Sequence, residues 1–312
     1  MQFTVDAYGN DKGENTVNNE DRNSIIALPV VILVAAGVAW AGSQDGVAVR
    51  GIPIFAAAVA LIFLIQWLGF LAAYVLQTEK FYDLTGSITY ISITTLAVLL
   101  SPVIDNRSIL LLALVLVWAT RLGTFLFNRV LQAGKDARFD DIKPSFFRFL
   151  VTWTLQGLWV TFTAGAALAA ITTTARRELG WFALIGFTVW ACGFGFEVVA
   201  DAQKSAFRAD PNNRGQFIDS GLWAWSRHPN YFGEILLWVG VAIVALPVLQ
   251  GWQWVTLISP VFVAVLITRV SGIPILERRA DEKWGGQEDY EAYKERTPVL
   301  IPRPPARGSE NR

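Results

Sequence analysis

The stretch GLWAWSRHPNYFGE, residues 221–234, holds the only histidine of the chain, His228, with Arg227, Asn230 and Glu234 close by. Pro229 suits the first turn of a helix, because its missing N–H would have no intrahelical partner there. Ser226 and His228 then lie near the N-cap of a helix that starts here. A helix start presents free N–H groups and a partial positive charge, and both favour an anion. Arg227 adds a full charge. Asn230 and Glu234, four apart, line the face that follows. The set suits a ligand with phosphate at one end and amide or hydroxyl groups at the other, such as a nucleotide cofactor. An interfacial cap binding lipid headgroups also fits Arg227 and His228, but it leaves Glu234 without a role.

Three further segments carry polar groups where apolar residues dominate. In WACGFGFEVVADAQKSAFRAD, Glu197, Asp201, Lys204 and Arg208 follow at steps of four, three and four, so they share one helix face. A solvated face with internal ion pairs accounts for Lys204 and Arg208, but not for Glu197, three turns deeper. Arg121 interrupts LLLALVLVWATRLGTFLF. Arginine within a span costs about 2.5–3.5 kcal/mol on insertion scales, so it faces a protein interior or a wet cavity. Snorkelling to a nearby interface is the other reading. The loop DPNNRGQFIDSGLW is turn-forming. It serves as a connector or, through Asn213 and Arg214, as a flap over a ligand.

The elements that must position these residues are membrane helices. Of 312 residues 53% are hydrophobic and only 17% charged, against about a quarter charged in soluble domains. The apolar residues fall in blocks of roughly twenty, the length that crosses the hydrocarbon core. The expected fold is an all-α polytopic bundle of seven or eight spans. They lie near 24–42, 52–77, 87–104, 108–127, 147–172, 181–200, 231–248 and 253–272. Residues 1–23 are polar and acidic, lack the basic start of a secretory signal, and read as a disordered tail. That tail, the loops after spans two, four and six, and the C-terminal tail hold nineteen of the lysines and arginines; the opposite loops hold Arg50, Arg107, Arg176 and Arg177. Basic loops stay inside, so both termini and the loops 128–146 and 201–230 are expected to be cytosolic. A formal net charge of zero gives nucleic acid no support as a partner. A single cysteine, Cys192, excludes an intramolecular disulfide and a cysteine-based metal site, and no metal is expected.

The segment FRADPNNRGQFIDSGLWAWSRHPNYFGEILLWVG resembles the C-terminal domain of the steroid 5-alpha-reductase superfamily, in particular its bacterial branch of integral-membrane proteins. The resemblance extends through FYDLTGS, WATRLGTFLFNR and SGIPILERRADEKWGGQEDYEAYKERTPVLIP. It covers about 81–302, leaving 24–80 as accessory spans and 303–312 as a tail. It implies a bacterial or archaeal plasma-membrane protein that encloses NADPH from the cytosolic side. It also implies a hydrophobic, lipid-like substrate entering from the bilayer, among the membrane lipids. Arg121, Asp201, Lys204, Arg208, Asn230, Glu234 and Tyr293 match cofactor-contacting positions of the family. The phosphate role of Arg227 and His228 follows instead from charge and helix position. Two positions depart from the family. Tyr82-Asp83 stand where steroid 5-alpha-reductases carry a Gln-Glu pair, and Trp118 stands where they carry a tyrosine.

These implications favour an NADPH-dependent reduction of an activated carbon–carbon double bond. Asp83 or Tyr82 is then the expected acid, since a carboxyl buried among apolar neighbours stays protonated more readily. An interfacial tyrosine and a helix N-cap are the plain alternative for that pair. A second reading is an S-adenosylmethionine-dependent methyltransferase of a lipid or prenylated substrate, whose families share an RHPxY-like helix start. That cofactor has no phosphate, so the extra basic residues favour the dinucleotide. A third is a non-catalytic lipid-binding protein.

Overall fold

An apolar segment in hydrocarbon can satisfy its backbone only internally, which makes it helical. The computed structural model describes residues 10–133 and 139–305. Seven long helices come first: α1 (Asn10–Ser43), α2 (Ile54–Val75), α3 (Tyr82–Leu100), α4 (Asn106–Ala133), α5 (Phe146–Thr172), α6 (Trp181–Ala209) and α7 (Pro229–Ala245). Three shorter ones follow, α8 (Ile258–Val265), α9 (Ile273–Trp284) and α10 (Glu288–Arg296). Among the described residues, eight helical stretches are long and apolar enough to cross a membrane, as the hydropathy blocks predict. The fold is an all-α bundle, relieved among the described residues by a two-stranded hairpin, Ala48–Val49 with Ile52–Pro53.

Two boundaries differ from expectation. α1 begins at Asn10, so residues 10–23, expected as a disordered tail, continue the first helix; residues 1–9 lie outside the described residues. The last span, expected as one helix over 253–272, is broken instead. A 3-10 turn over Gly251–Leu257 leads into α8, a π turn over Leu266–Val270 follows, and α9 starts after Gly272. The π turn closes with Ser271 donating its N–H to Leu266 O at 2.9 Å.

Packing divides the chain into two units, residues 1–176 with 249–256, and 177–248 with 257–312. This division differs from the one drawn by resemblance at residue 81. In the first unit α5 is the central post, packing against α1, α2, α3 and α4. Its small residues Gly165, Ala166, Ala167, Ala169 and Ala170 are all buried, which lets neighbouring helices approach closely.

In the second unit α6 and α7 meet backbone to backbone. A Cβ on Gly193 would lie 2.5 Å from Leu237 N, and one on Gly233 2.5 Å from Gly193 O. Two turns away, Gly240 sits 2.6 Å from Gly186 O on the same measure. Glycines seven apart on both helices therefore form one seam. It sets the charged face of α6 beside the start of α7.

Candidate functional site

The start of α7 is held by the chain's later segments. Ser226 Oγ accepts from the N–H of His228 at 3.1 Å and donates to Leu300 O at 2.9 Å. Arg227 N donates to Pro298 O, and Arg303 N to Trp225 O, each at 2.9 Å. Pro229 occupies the first helical position, and His228 is the cap residue with no side-chain cap bond. These links fix Arg227 and His228 at the start of α7.

Both reach the same carboxylate. Glu277 of α9 places Oε2 2.6 Å from Arg227 Nη1 and Oε1 2.7 Å from His228 Nε2. The histidine is buried, at 5% exposure, and burial holds its pKa below the ordinary value although Glu277 pulls the other way. Glu277 therefore cancels a full positive charge at the place where charge alone suggested a phosphate site. Nδ1 of His228 and Nε of Arg227 are buried with no hydrogen-bond partner among the described residues.

Across the seam, Asn230 Nδ2 donates to the buried Asp201 Oδ1 at 3.2 Å. Lys204 lies with its ammonium 4.1 Å from the centre of the Trp223 ring. The Trp223 indole donates to Ala200 O at 3.0 Å, and Gln203 Oε1 accepts from Leu222 N at 2.9 Å. The 221–225 turn is thus pinned along α6. Gly221, at φ +62, is required there, since a Cβ would lie 2.5 Å from Gln203 Nε2.

Asp201, Lys204, Arg227, His228 and Asn230 are brought together in this way, with half-buried Glu234 one turn into α7. Tyr293 is linked to them through Trp223, whose carbonyl accepts its hydroxyl at 2.8 Å. Burial pushes the Tyr293 pKa up, so the phenol stays a donor. Arg208 is exposed at the end of α6. Asn213 caps that end, its Nδ2 donating to Phe207 O at 3.0 Å.

The first unit holds the other expected residues. Tyr82 is packed edge-on against Phe139 and Trp153, at 5.0 and 5.2 Å, and its hydroxyl donates to Thr152 O at 3.1 Å. Asp83 lies in the first turn of α3, two residues past the cap residue Phe81 rather than at the cap itself. The Arg121 guanidinium lies over the Phe125 ring at 5.2 Å. It lines an open groove of about 610 Å³ along α4, with Thr120, Thr124 and Asn128 among its walls.

Two residues were missed by sequence reasoning. Glu277 opens the segment ERRADEK, where the two arginines that follow disguise it as surface charge. Tyr90 of α3 is buried with its ring edge-on to Trp118 at 5.0 Å, so a phenol from the next helix accompanies the tryptophan. It lies seven residues after Asp83, on the same face.

A family model described as a protein of unknown function, DUF1295, matches residues 69–297. The chain belongs to the DUF1295 family. This is the steroid 5-alpha-reductase-like family, which agrees with the resemblance at that level. A probable O-methyltransferase, ustE, of Ustilaginoidea virens is 27% identical over 146 residues, covering 40% of this chain and 48% of the relative. The chain thus spans about half the length of that curated relative. No solved structure matches. The DUF1295 match and the relative together support a membrane enzyme of the steroid-reductase-like kind.

Proposed function

We propose that this member of the family is an NADPH-dependent membrane reductase of an activated carbon–carbon double bond in a hydrophobic substrate that enters from the bilayer. The observation that carries the reading is the meeting of α6 and α7 charge at one end of the second unit, where Asn230 grips Asp201 beside Lys204, Arg227 and His228. The buried atoms of Arg227 and His228 that have no hydrogen-bond partner among the described residues support this reading, since such groups call for a partner.

In this reading NADPH supplies a hydride to the β-carbon of an enone or similar group. Lys204, Arg208 and Arg227 hold its phosphates. Asn230, Asp201 and Glu234 hold its amide and hydroxyl groups, and Asn213 orders the loop beside them. Asp83 or Tyr90 donates the proton at the carbonyl side, because the Tyr82 hydroxyl is engaged by Thr152. The end of the bundle that holds the start of α7 faces the cytosol, with both termini, and the protein lies in a bacterial or archaeal plasma membrane.

A second reading is favoured by one observation, the O-methyltransferase named among the relatives. Glu277 strengthens it by lowering the net charge at Arg227, which suits a cofactor without phosphate. Thermal unfolding in mild detergent with NADPH or S-adenosylmethionine separates the two, since a ligand raises the melting temperature by mass action. Stabilisation by NADPH, with its oxidation across a panel of enone lipids, is expected. Stabilisation by S-adenosylmethionine alone would replace the first reading with the second. NADPH binding without turnover on any substrate would leave a lipid-binding protein.

A further inference from the structure

His228 is the only histidine of the chain, and it is set unlike a phosphate ligand. Its Nε2 lies 2.7 Å from Glu277 Oε1. A carboxylate oxygen only accepts, so the hydrogen between them belongs to Nε2. The ring is buried and stacked nearly parallel on Tyr231, with 5.7 Å between centres. The charged groups that act on it are Glu277 of α9, Lys204 of α6 and the adjoining Arg227; the last two oppose a second proton, as burial does. The ring is therefore neutral. Its Nδ1 keeps a lone pair, is shut off from solvent, and meets no donor among the described residues.

We propose that Glu277 is a positioning residue that fixes His228 as the Nε2–H tautomer, so that Nδ1 accepts a hydrogen bond from an N–H or O–H group of the bound cofactor. This deepens the cofactor reading given above and rests on it. The chemical class follows from the lone pair. An amide, an amine or a sugar hydroxyl can donate to Nδ1, whereas an ionised phosphate oxygen brings only a second lone pair and is repelled. Arg227 Nε, buried beside it without a partner, is a donor. The two neighbours together show one donor and one acceptor, the pattern that a carboxamide or a pair of ribose hydroxyls answers. The anionic part of the ligand is left to Lys204, Arg208 and the guanidinium edge of Arg227.

Because the histidine is single, ¹⁵N-histidine labelling of the whole protein in detergent gives one pair of ring resonances. At neutral pH the ligand-free protein is expected to show a protonated Nε2 and an unprotonated Nδ1. Glu277→Gln keeps an acceptor and should preserve that tautomer, while Glu277→Ala should release it and weaken NADPH binding by about tenfold. Adding NADPH should move the Nδ1 resonance to a hydrogen-bonded position and leave Nε2–H in place. An imidazolium or an Nδ1–H tautomer in the ligand-free protein would overturn the proposal. So would an Nδ1 resonance that stays put while thermal unfolding shows NADPH bound. Should NADPH fail to stabilise the protein, the reductase reading falls on its own, and the same titration with S-adenosylmethionine decides the proposal: a moved Nδ1 upholds it, an unmoved one ends it. Where Glu277→Ala does not fold, the wild-type spectra carry the test.

Discussion

Asn230 Nδ2 meets Asp201 Oδ1 at 3.2 Å across the seam between α6 and α7. The bond exists because glycines on both helices let the backbones touch, so the charged stripe of one comes within reach of the first turn of the other.

That dependence is open to test by size. Gly193→Leu or Gly233→Val would press a side chain into backbone 2.5 Å away. Overpacking of this kind costs typically about 1–3 kcal/mol, so a clear fall in melting temperature and loss of cofactor binding are expected. Gly195, which has open space around it, should accept alanine with neither effect.

Glu234 stands one turn into α7 beside the proposed amide and hydroxyl end of the cofactor. Glu234→Ala should weaken NADPH binding by about tenfold, the value of one hydrogen bond to a charged group, with the melting temperature of the free protein little changed. Unchanged affinity in the folded variant would remove Glu234 from the site.

Acidity should unfold the second unit earlier than the first. His228 has a folded pKa below its unfolded value of about 6.5. Below that pH the unfolded chain takes up a proton that the folded chain refuses, so stability falls as pH drops from there through the lower, folded pKa. A series of melting temperatures against pH should show this decline. His228→Phe should flatten it over the same window.

Tyrosine hydroxyls separate structure from chemistry. Tyr82→Phe and Tyr293→Phe each strip a donor from a backbone carbonyl, of Thr152 and Trp223 respectively. Each should lose about 1 kcal/mol of stability with turnover nearly intact. Asp83→Asn or Tyr90→Phe, whichever removes the proton donor, should lower kcat by about 10²–10⁴ with NADPH affinity retained. Full turnover in both would place the acid elsewhere.

The sequence made the helices legible, since apolar blocks of span length have few other structures open to them. It also exposed the start of α7 through Pro229 and the clustered Arg227, His228 and Asn230. Contacts set by distant segments stayed hidden. Glu277 looks like surface charge ahead of two arginines until α9 folds back on the cap, and nothing in 253–272 announced the π turn at Leu266–Val270. Tyr82 and Asp83 were flagged by their place in a motif, which marks position but not what a side chain will touch. Only the structure shows one hydroxyl committed to Thr152 and a second phenol, Tyr90, against Trp118.

Ser226 is fastened to Leu300, 74 positions later, and Arg227 to Pro298. During synthesis the helix that begins at Pro229 therefore enters the bilayer well before its own anchor has been translated. The cap must remain loose on the ribosome-bound chain and become rigid only near the end of translation. An early stop codon ahead of Pro298 would leave an inserted bundle in which the start of α7 is never tied down.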